Sequence, residues 1–260
     1  MGSGQRQAEL WGPGAKLWSE KHESYALNIV DWVLDRIYEG NGAHILDAGC
    51  GAGATVAMAV KRGARVTATD VTPEMLEIAR QRVPQANFYV ADSEALPFAD
   101  NTFDSVMAMH SLQFTETPLN ALHEFKRVSK PNAKIGIAMF GDTAHADFAT
   151  IGAAVRKLFK TPPNFEGPFS LSPPSKLHGV IQQAGLKILE TGDFDMEREF
   201  ESFEEYWHGQ AGTGATRYAV RELGEELVRD TIAGVIAQFT DSQGKITLRN
   251  RFHAVIAAKQ

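Results

Sequence analysis

The apolar positions of this chain change rhythm near residue 43, and that change predicts its architecture. Between Tyr25 and Ile37 the apolar residues Ile29, Val30, Val33, Leu34 and Ile37 recur at three and four positions, the stripe of an amphipathic helix. Short apolar runs then alternate with helical segments. Strands are predicted at Ala43–Ala48, Arg65–Thr69, Phe88–Ala91, Phe103–Met109 and Lys134–Phe140. Helices fall between them, from about Ala54 to Arg62, from Pro73 to about Val83, and from Pro118. Thr72 and Thr117 each precede a proline, the order of an N-cap followed by a residue that needs no N–H. Alternating strands and helices imply a parallel sheet with helices on both faces and right-handed crossovers.

After about Ala144 the pattern loosens into a helix, the proline-rich stretch TPPNFEGPFSLSPP at 161–174, and a helix ending near Gly185. A strand at about Lys187–Phe194, some 40 mostly helical residues and a last strand at about Lys245–Ala258 complete the chain. The segment Tyr206–Tyr218 is rich in aromatics and is expected to cover a site at the strand ends. The fold expected is α/β: a Rossmann-like, doubly wound, mostly parallel seven-stranded sheet with a helical cap. Its expected parts are an N-terminal helical lid at 1–42 and a domain at 43–260, with cap segments at about 142–175 and 200–240. The opening MGSG reads as a tag remnant.

Composition narrows the partners. With 32 acidic and 26 basic side chains the net charge is −6, and no run of Lys and Arg exceeds two. A nucleic-acid partner needs basic residues gathered on one face, so none is expected. No apolar run reaches the roughly 18 to 20 residues of a membrane span, and no signal-peptide pattern opens the chain. Cys50 is the only cysteine, so no disulfide can form within the chain. A cytoplasmic protein is expected.

The strongest local signal is Leu46-Asp47-Ala48-Gly49-Cys50-Gly51-Ala52-Gly53-Ala54, a glycine turn between the first strand and its helix. Residues without Cβ let backbone approach a ligand closely. By itself the pattern Gly49-x-Gly51-x-x-Ala54, with Asp70 about 20 residues on, fits a dinucleotide site, and an NAD-dependent oxidoreductase stays open at this point. Asp47 points elsewhere: a carboxylate two residues before the first glycine repels a pyrophosphate and suits a cationic cofactor. Asp70 and Asp92, the latter in Ala91-Asp92-Ser93, end the second and third strands and converge on the same crevice.

The order LDAGCGAG, ATD, ADSEALPFADNTFD and LNALHEFKRVSKP resembles the class I S-adenosylmethionine-dependent methyltransferases of the methyltransferase-11 type. The resemblance is strong over 43–141 and fainter outside it. It implies S-adenosylmethionine as cofactor, S-adenosylhomocysteine as product, and in-line methyl transfer to a small-molecule acceptor. It further implies that Asp47 and the backbone of Gly49, Cys50, Gly51 and Gly53 hold the methionine part. By the same resemblance Asp70 holds the ribose, Val71 and Met75 pack on the adenosine, Asp92 and Ser93 hold its amino end, and Met109 borders the methionine. The late strands are implied to form an edge hairpin with the last strand antiparallel. Asn132 stands where the family usually has glycine, and asparagine tolerates the left-handed turn.

Outside those motifs, Trp18 is expected either to close the core or to lie over the cofactor, where its face attracts a sulfonium. His110, following the fourth strand, and His208 in the cap are the base candidates, each with packing as the plain alternative. Phe114, Phe140, Tyr206, Trp207 and Tyr218 are the candidate acceptor contacts. No metal site is expected, since His123 lacks a second histidine four positions on. No Asn-Pro-Pro-aromatic or Asp-Pro-Pro-aromatic run follows the fourth strand, which speaks against methylation of a base amino group. A methyltransferase-like protein that uses the cofactor for binding or cyclisation is the remaining alternative.

Overall fold

The computed structural model describes residues 3–40, 42–161, 163 and 167–259. Three helices open the chain: α1 (Ser3–Trp11), α2 (Ala15–Lys21) and α3 (Leu27–Ile37). The alternating region follows as β1 (His44–Ala48), α4 (Ala54–Lys61), β2 (Arg65–Asp70), α5 (Pro73–Arg82), β3 (Asn87–Val90), β4 (Phe103–Met109), α6 (Pro118–Val128) and β5 (Ser129–Phe140). Then come α7 (Asp147–Arg156), α8 (Pro174–Gln183), β6 (Leu186–Phe200), α9 (Phe203–Gln210), α10 (Gly214–Leu223), α11 (Glu225–Ile236) and β7 (Ile246–Lys259).

The seven strands form one sheet in the order β3-β2-β1-β4-β5-β7-β6. Neighbours from β3 to β5 run parallel, β7 runs antiparallel to both β5 and β6, and the expected edge hairpin is present. One face is buried by α3, α4 and α5, through Ile29, Val33, Leu34, Val56 and Leu76 against Ile45, Val66 and Met107. The other is buried by α6 and α8, through Leu122, Phe125, Leu177 and Ile181 against Leu46, Val106, Ile135 and Val255. The strand order reverses direction at β1 and β4, so a crevice opens outside their C-terminal ends, where sheets of this kind bind ligands.

Four expectations need correction. The N-terminal segment is not all lid: α3 carries four fully buried apolar side chains and lies so close to the sheet that a Cβ on Gly136 would sit 2.3 Å from Val33 Cγ1. Its apolar stripe makes it a core helix, with Leu27 and Val30 at the cavity edge, and α1 and α2 supply the cover from this segment. β5 begins at Ser129 rather than Lys134, running through Asn132 at φ 64° and a register irregularity between Phe103 and Ser105. β6 runs to Phe200, six residues past the expected Phe194, because Asp195–Phe200 pairs with Ile246–Arg251 of β7. Thr72 and Thr117 start their helices, yet neither hydroxyl caps one; Thr72 N–H is instead held by Asp70.

The extended half of the hairpin explains the cap. Beyond the sheet proper, Phe200, Ile246 and Leu248 form a small separate core with Ile151, Tyr206, Val228, Ile232 and Ile236. The cap therefore stands on an extension of the two longest strands. The proline-rich stretch falls partly outside the described residues, at 162 and 164–166.

Candidate active site

A cavity of about 840 Å³ lies over the strand ends, between the glycine loop, the N-terminal helices and the cap. Gly49, Gly51 and Gly53 have φ of 78°, 54° and 87°, the left-handed region where a side chain is strained. Gly49 also has no room: a Cβ there would lie 2.3 Å from Ser111 Cβ, while one on Gly51 would meet nothing nearer than 3.9 Å. Gly51 therefore presents bare backbone to open space.

The loop's own hydrogen bonds distinguish the two cofactor readings. A pyrophosphate site needs free N–H groups at the loop and helix start. Here Gly49 and Cys50 donate to Thr69 O at 2.8 and 2.9 Å, and Gly51 donates to Asp70 Oδ2 at 2.9 Å. Ala54, the first residue of α4, donates to Glu23 Oε1 at 3.1 Å. A carboxylate thus already sits at the helix start where a dinucleotide would place phosphate. Glu23 is fixed in turn by an ion pair with Arg82, whose guanidinium also donates to Ala52 O at 2.8 Å. The loop is spoken for as a donor, and its surroundings are acidic.

The acids are shielded to different degrees, Asp47 buried and Asp70 and Asp92 half-buried. Asp47 is fully shielded: its Oδ2 accepts from the Thr55 hydroxyl, and its Oδ1 has no partner. Burial, foremost, pushes its carboxyl up to about 7. Burial likewise raises Asp70, against the lowering pull of the Thr72 and Gly51 N–H groups. Asp92 Oδ1 accepts from Glu94 N–H at 3.0 Å, and α1 passes so close that a Cβ on Gly4 would lie 2.8 Å from Asp92 Oδ2.

The structure brings most of the expected residues to one cavity. Trp18, Gly49, Cys50, Gly51, Asp70, Val71, Met75, Asp92, Ser93, Met109, His110, Phe114, Phe140, Tyr206 and Tyr218 all line it. Four do not. Asp47 lies behind the loop, and Gly53 packs on Ala79, where a Cβ would come within 2.9 Å. Trp207 is buried in the cap against Phe203 and beneath the Arg229 guanidinium, and His208 is exposed outside the cavity. One turn of α9 cannot aim Tyr206, Trp207 and His208 at the same place, and Tyr206 is the one that faces in. Cys50 is buried and its thiol is pushed well above its usual value by burial and the neighbouring acids.

His110 sits where β4 ends, at φ 56°, held by its N–H to Ala138 O at 2.7 Å. Its ring meets Phe252 edge-on at 5.1 Å and Phe140 at 6.4 Å. Nε2 is buried without a hydrogen-bond partner, and burial lowers the imidazole to about 4. A neutral ring thus lines the cavity between the acidic end and the aromatic end, with Nε2 itself turned into the protein.

Sequence reasoning missed much of the cover. Gln7, Trp11, His22, Glu23, Tyr25 and Arg198 all reach the cavity. Trp18 stacks on His22 at 5.2 Å and 6°, and meets Trp11 edge-on at 4.9 Å. The wide aromatic spacing of the first 40 residues is the signal that could have pointed to them. Arg198 had none, because it lies on the strand extension that was unforeseen.

Residues 46–137 match the methyltransferase-domain family. An O-methyltransferase of Aspergillus nomiae is 30% identical over 166 residues, which cover 61% of this chain and 71% of the relative. The chain belongs to the class I S-adenosylmethionine-dependent methyltransferases. Demethylmenaquinone methyltransferase of Renibacterium salmoninarum is 34% identical over 119 residues, 46% of this chain and 50% of that protein. The match thus spans half the length of that relative. The YcgJ protein of Bacillus subtilis shares the fold, with a TM-score of 0.63 at 16% identity over 90% of this chain and 99% of its own.

The cofactor of this family is S-adenosylmethionine, and the donor set fits it. The loop offers few free N–H groups, Asp47 keeps an orphan buried acceptor, and Glu23, Asp70 and Asp92 make the crevice acidic. Those are the surroundings a sulfonium and an ammonium require. Among the described residues no cluster could hold a metal ion, and no helix is long and apolar enough to cross a membrane.

Proposed function

We propose that the protein transfers a methyl group to a small, largely apolar acceptor bound beneath the cap. The observation that carries this reading is the continuity of one cavity from the acids of β2 and β3, past His110, to the aromatic cap. Bound S-adenosylmethionine supplies an electrophilic methyl on a positively charged sulfur. Asp70 accepts from the ribose hydroxyls, Val71 and Met75 pack on the adenosine, and Asp92 with Ser93 takes its amino end. The backbone at Gly51 holds the methionine end, and Asp47 adds its charge from behind the loop.

At the acceptor end Phe114, Phe140, Tyr206 and Tyr218 line the wall and exclude water. Positioning is the largest expected gain, about 7 to 11 kcal/mol for a well-aligned pair. A ring nitrogen of His110, once turned out of its shielded resting position, accepts a hydrogen bond from an acceptor hydroxyl and takes its proton as the new bond forms. Neutrality at ordinary pH keeps that nitrogen an acceptor. This contribution is smaller, about 10²- to 10⁴-fold.

S-adenosylhomocysteine is expected to raise the melting temperature in a concentration-dependent way, and NADH is not. A shift with NADH and none with saturating S-adenosylhomocysteine would overturn the cofactor assignment. Turnover is read as gain of one methyl by mass spectrometry across hydroxylated aromatic acceptors. His110→Ala should lose about 10²-fold or more in kcat while binding S-adenosylhomocysteine normally. Equal rates in the two proteins would remove His110 from the chemistry.

A further inference from the structure

Charge is unevenly distributed along the cavity wall. The cofactor end is acidic, with Glu23, Asp70 and Asp92, whereas Arg198 enters under the cap. Arg198 lies on the extended half of β6 and is held from three sides. Its guanidinium donates through Nη1 to His22 Nδ1 at 2.7 Å and through Nη2 to Lys21 O. It also lies 5.3 Å from the Tyr25 ring centre and 4.8 Å from that of Phe200.

No carboxylate among the described residues pairs with it. Tyr25 and Tyr206 act on it, and the carboxylate that does so, Glu205, is exposed and accepts from the Glu201 N–H at 2.8 Å. A half-buried guanidinium without a counter-ion is costly, and cation–π contacts offset only part of that cost. Two of its five N–H donors are used by His22 and Lys21, and neither partner is charged to match. Burial and the Arg198 cation together lower His22 to about 4, so that imidazole stays neutral and cannot serve as a second cation.

We infer that Arg198, clasped by Tyr25, Phe200 and His22, binds an oxyanion of the acceptor, so that the preferred acceptors are aromatic or apolar molecules bearing a carboxylate. The inference rests on reading the cavity as a methyl-transfer site. Arg198 selects and orients the acceptor through a fork geometry that suits a carboxylate. The cofactor's own carboxylate is the other possible source of that chemistry. The contacts from Arg198 to Gly51 run through two further side chains, which disfavours it: Arg198 bonds His22, His22 stacks on Trp18 at 5.2 Å, and Trp18 Nε1 lies 3.9 Å from a Cβ on Gly51.

The test uses the full chain saturated with S-adenosylhomocysteine and two probes, 3-hydroxy-2-naphthoate and 2-naphthol, with affinities measured by calorimetry. Wild type should bind the carboxylated probe about 10- to 100-fold more tightly, the range of a charge-assisted hydrogen-bonded contact. Arg198→Met should erase that preference, and Arg198→Lys should keep part of it, with both binding S-adenosylhomocysteine as wild type does. Benzoate should compete with the carboxylated probe on wild type, a result that needs no variant to fold. Equal binding of the two probes by wild type, or no binding of the carboxylated one, overturns the inference. So does an Arg198→Met protein that loses S-adenosylhomocysteine affinity, which would assign the arginine to the cofactor. Normal S-adenosylhomocysteine binding in wild type keeps the methyl-transfer reading standing in each of those cases.

Discussion

Asp70 shows how one side chain serves structure and ligand together. Its two oxygens take the N–H groups of Gly51 and Thr72, each at 2.9 Å, so it shapes the glycine loop and the start of α5 while lining the cavity. Asp70→Ala should therefore weaken S-adenosylhomocysteine about 10- to 100-fold and also cost about 1 to 3 kcal/mol of stability by orphaning two N–H groups. Calorimetry and denaturant melts read the two effects separately; wild-type affinity in a folded variant would remove the ribose from Asp70. The histidines give a pH signature. Burial holds both His110 and His22 down at about 4, so each is neutral when folded and gains protons more readily when unfolded. Their stabilisation is present above about pH 6.5 and is lost as pH falls towards 4. Asp47, raised to about 7, has the opposite sign: its contribution is present below about pH 4 and fades as pH rises through 7. The measurement is thus a difference. His110→Phe should lose stability less steeply than wild type between pH 6.5 and 4, and identical slopes would mean that the ring is not buried neutral.

At the scale of elements, the cover is an interlock of α1 and α2 with the α9–α10 turn. A Cβ on Gly14 would lie 2.7 Å from Gly212 O, one on Gly212 would lie 3.0 Å from Trp18 N, and one on Gly214 would lie 2.9 Å from Trp11. These glycines are small because backbone passes backbone, and the contact brings Trp18 over the glycine loop. Trp18 is half-buried, against His22 and Trp11 rather than in either sheet core. Trp18→Ala should consequently reduce S-adenosylhomocysteine affinity more than stability, remaining well below the 3 to 5 kcal/mol of a core tryptophan. Large destabilisation with unchanged affinity would make Trp18 a core residue. Gly212→Val should act in the same direction by wedging the lid away from the cap.

The whole molecule consists of two packed faces of a sheet and a smaller core raised on the β6–β7 extension. Ile232 is buried in that raised core, 3% exposed, and has no place in either sheet core. Ile232→Ala removes packing worth about 2 to 5 kcal/mol locally, which should loosen the cap before the sheet. Methyl transfer should fall more than S-adenosylhomocysteine affinity. Equal loss of both would show cap and cofactor site to be a single cooperative unit.

Much of this was legible along the chain because its causes are local. Periodicity gives β1 to β4 and the helices between them within a residue or two, since strand and helix repeats follow from geometry at each position. The glycine loop and its acids could be read as a cofactor site, because missing Cβ atoms and carboxylates at strand ends are visible in sequence. The choice of a sulfonium over a dinucleotide was legible too, in Asp47 and in the order of the four motifs. Tertiary structure added its physical reason, with Glu23 at the start of α4 and Thr69 O taking two loop N–H groups, bonds between segments whose meeting no local pattern records. Tertiary structure also split the first 40 residues, sending α3 to the core because its apolar stripe found the sheet and leaving α1 and α2 as cover. It extended β6, alternating polar side chains and all, because pairing with β7 satisfies the backbone whatever the side chains are. That extension put Arg198 under the cap. The sequence by itself determined the sheet, the loop and the acids of the cofactor end; only the tertiary structure decided what covers them, because a cover is made of contacts between residues far apart in the chain.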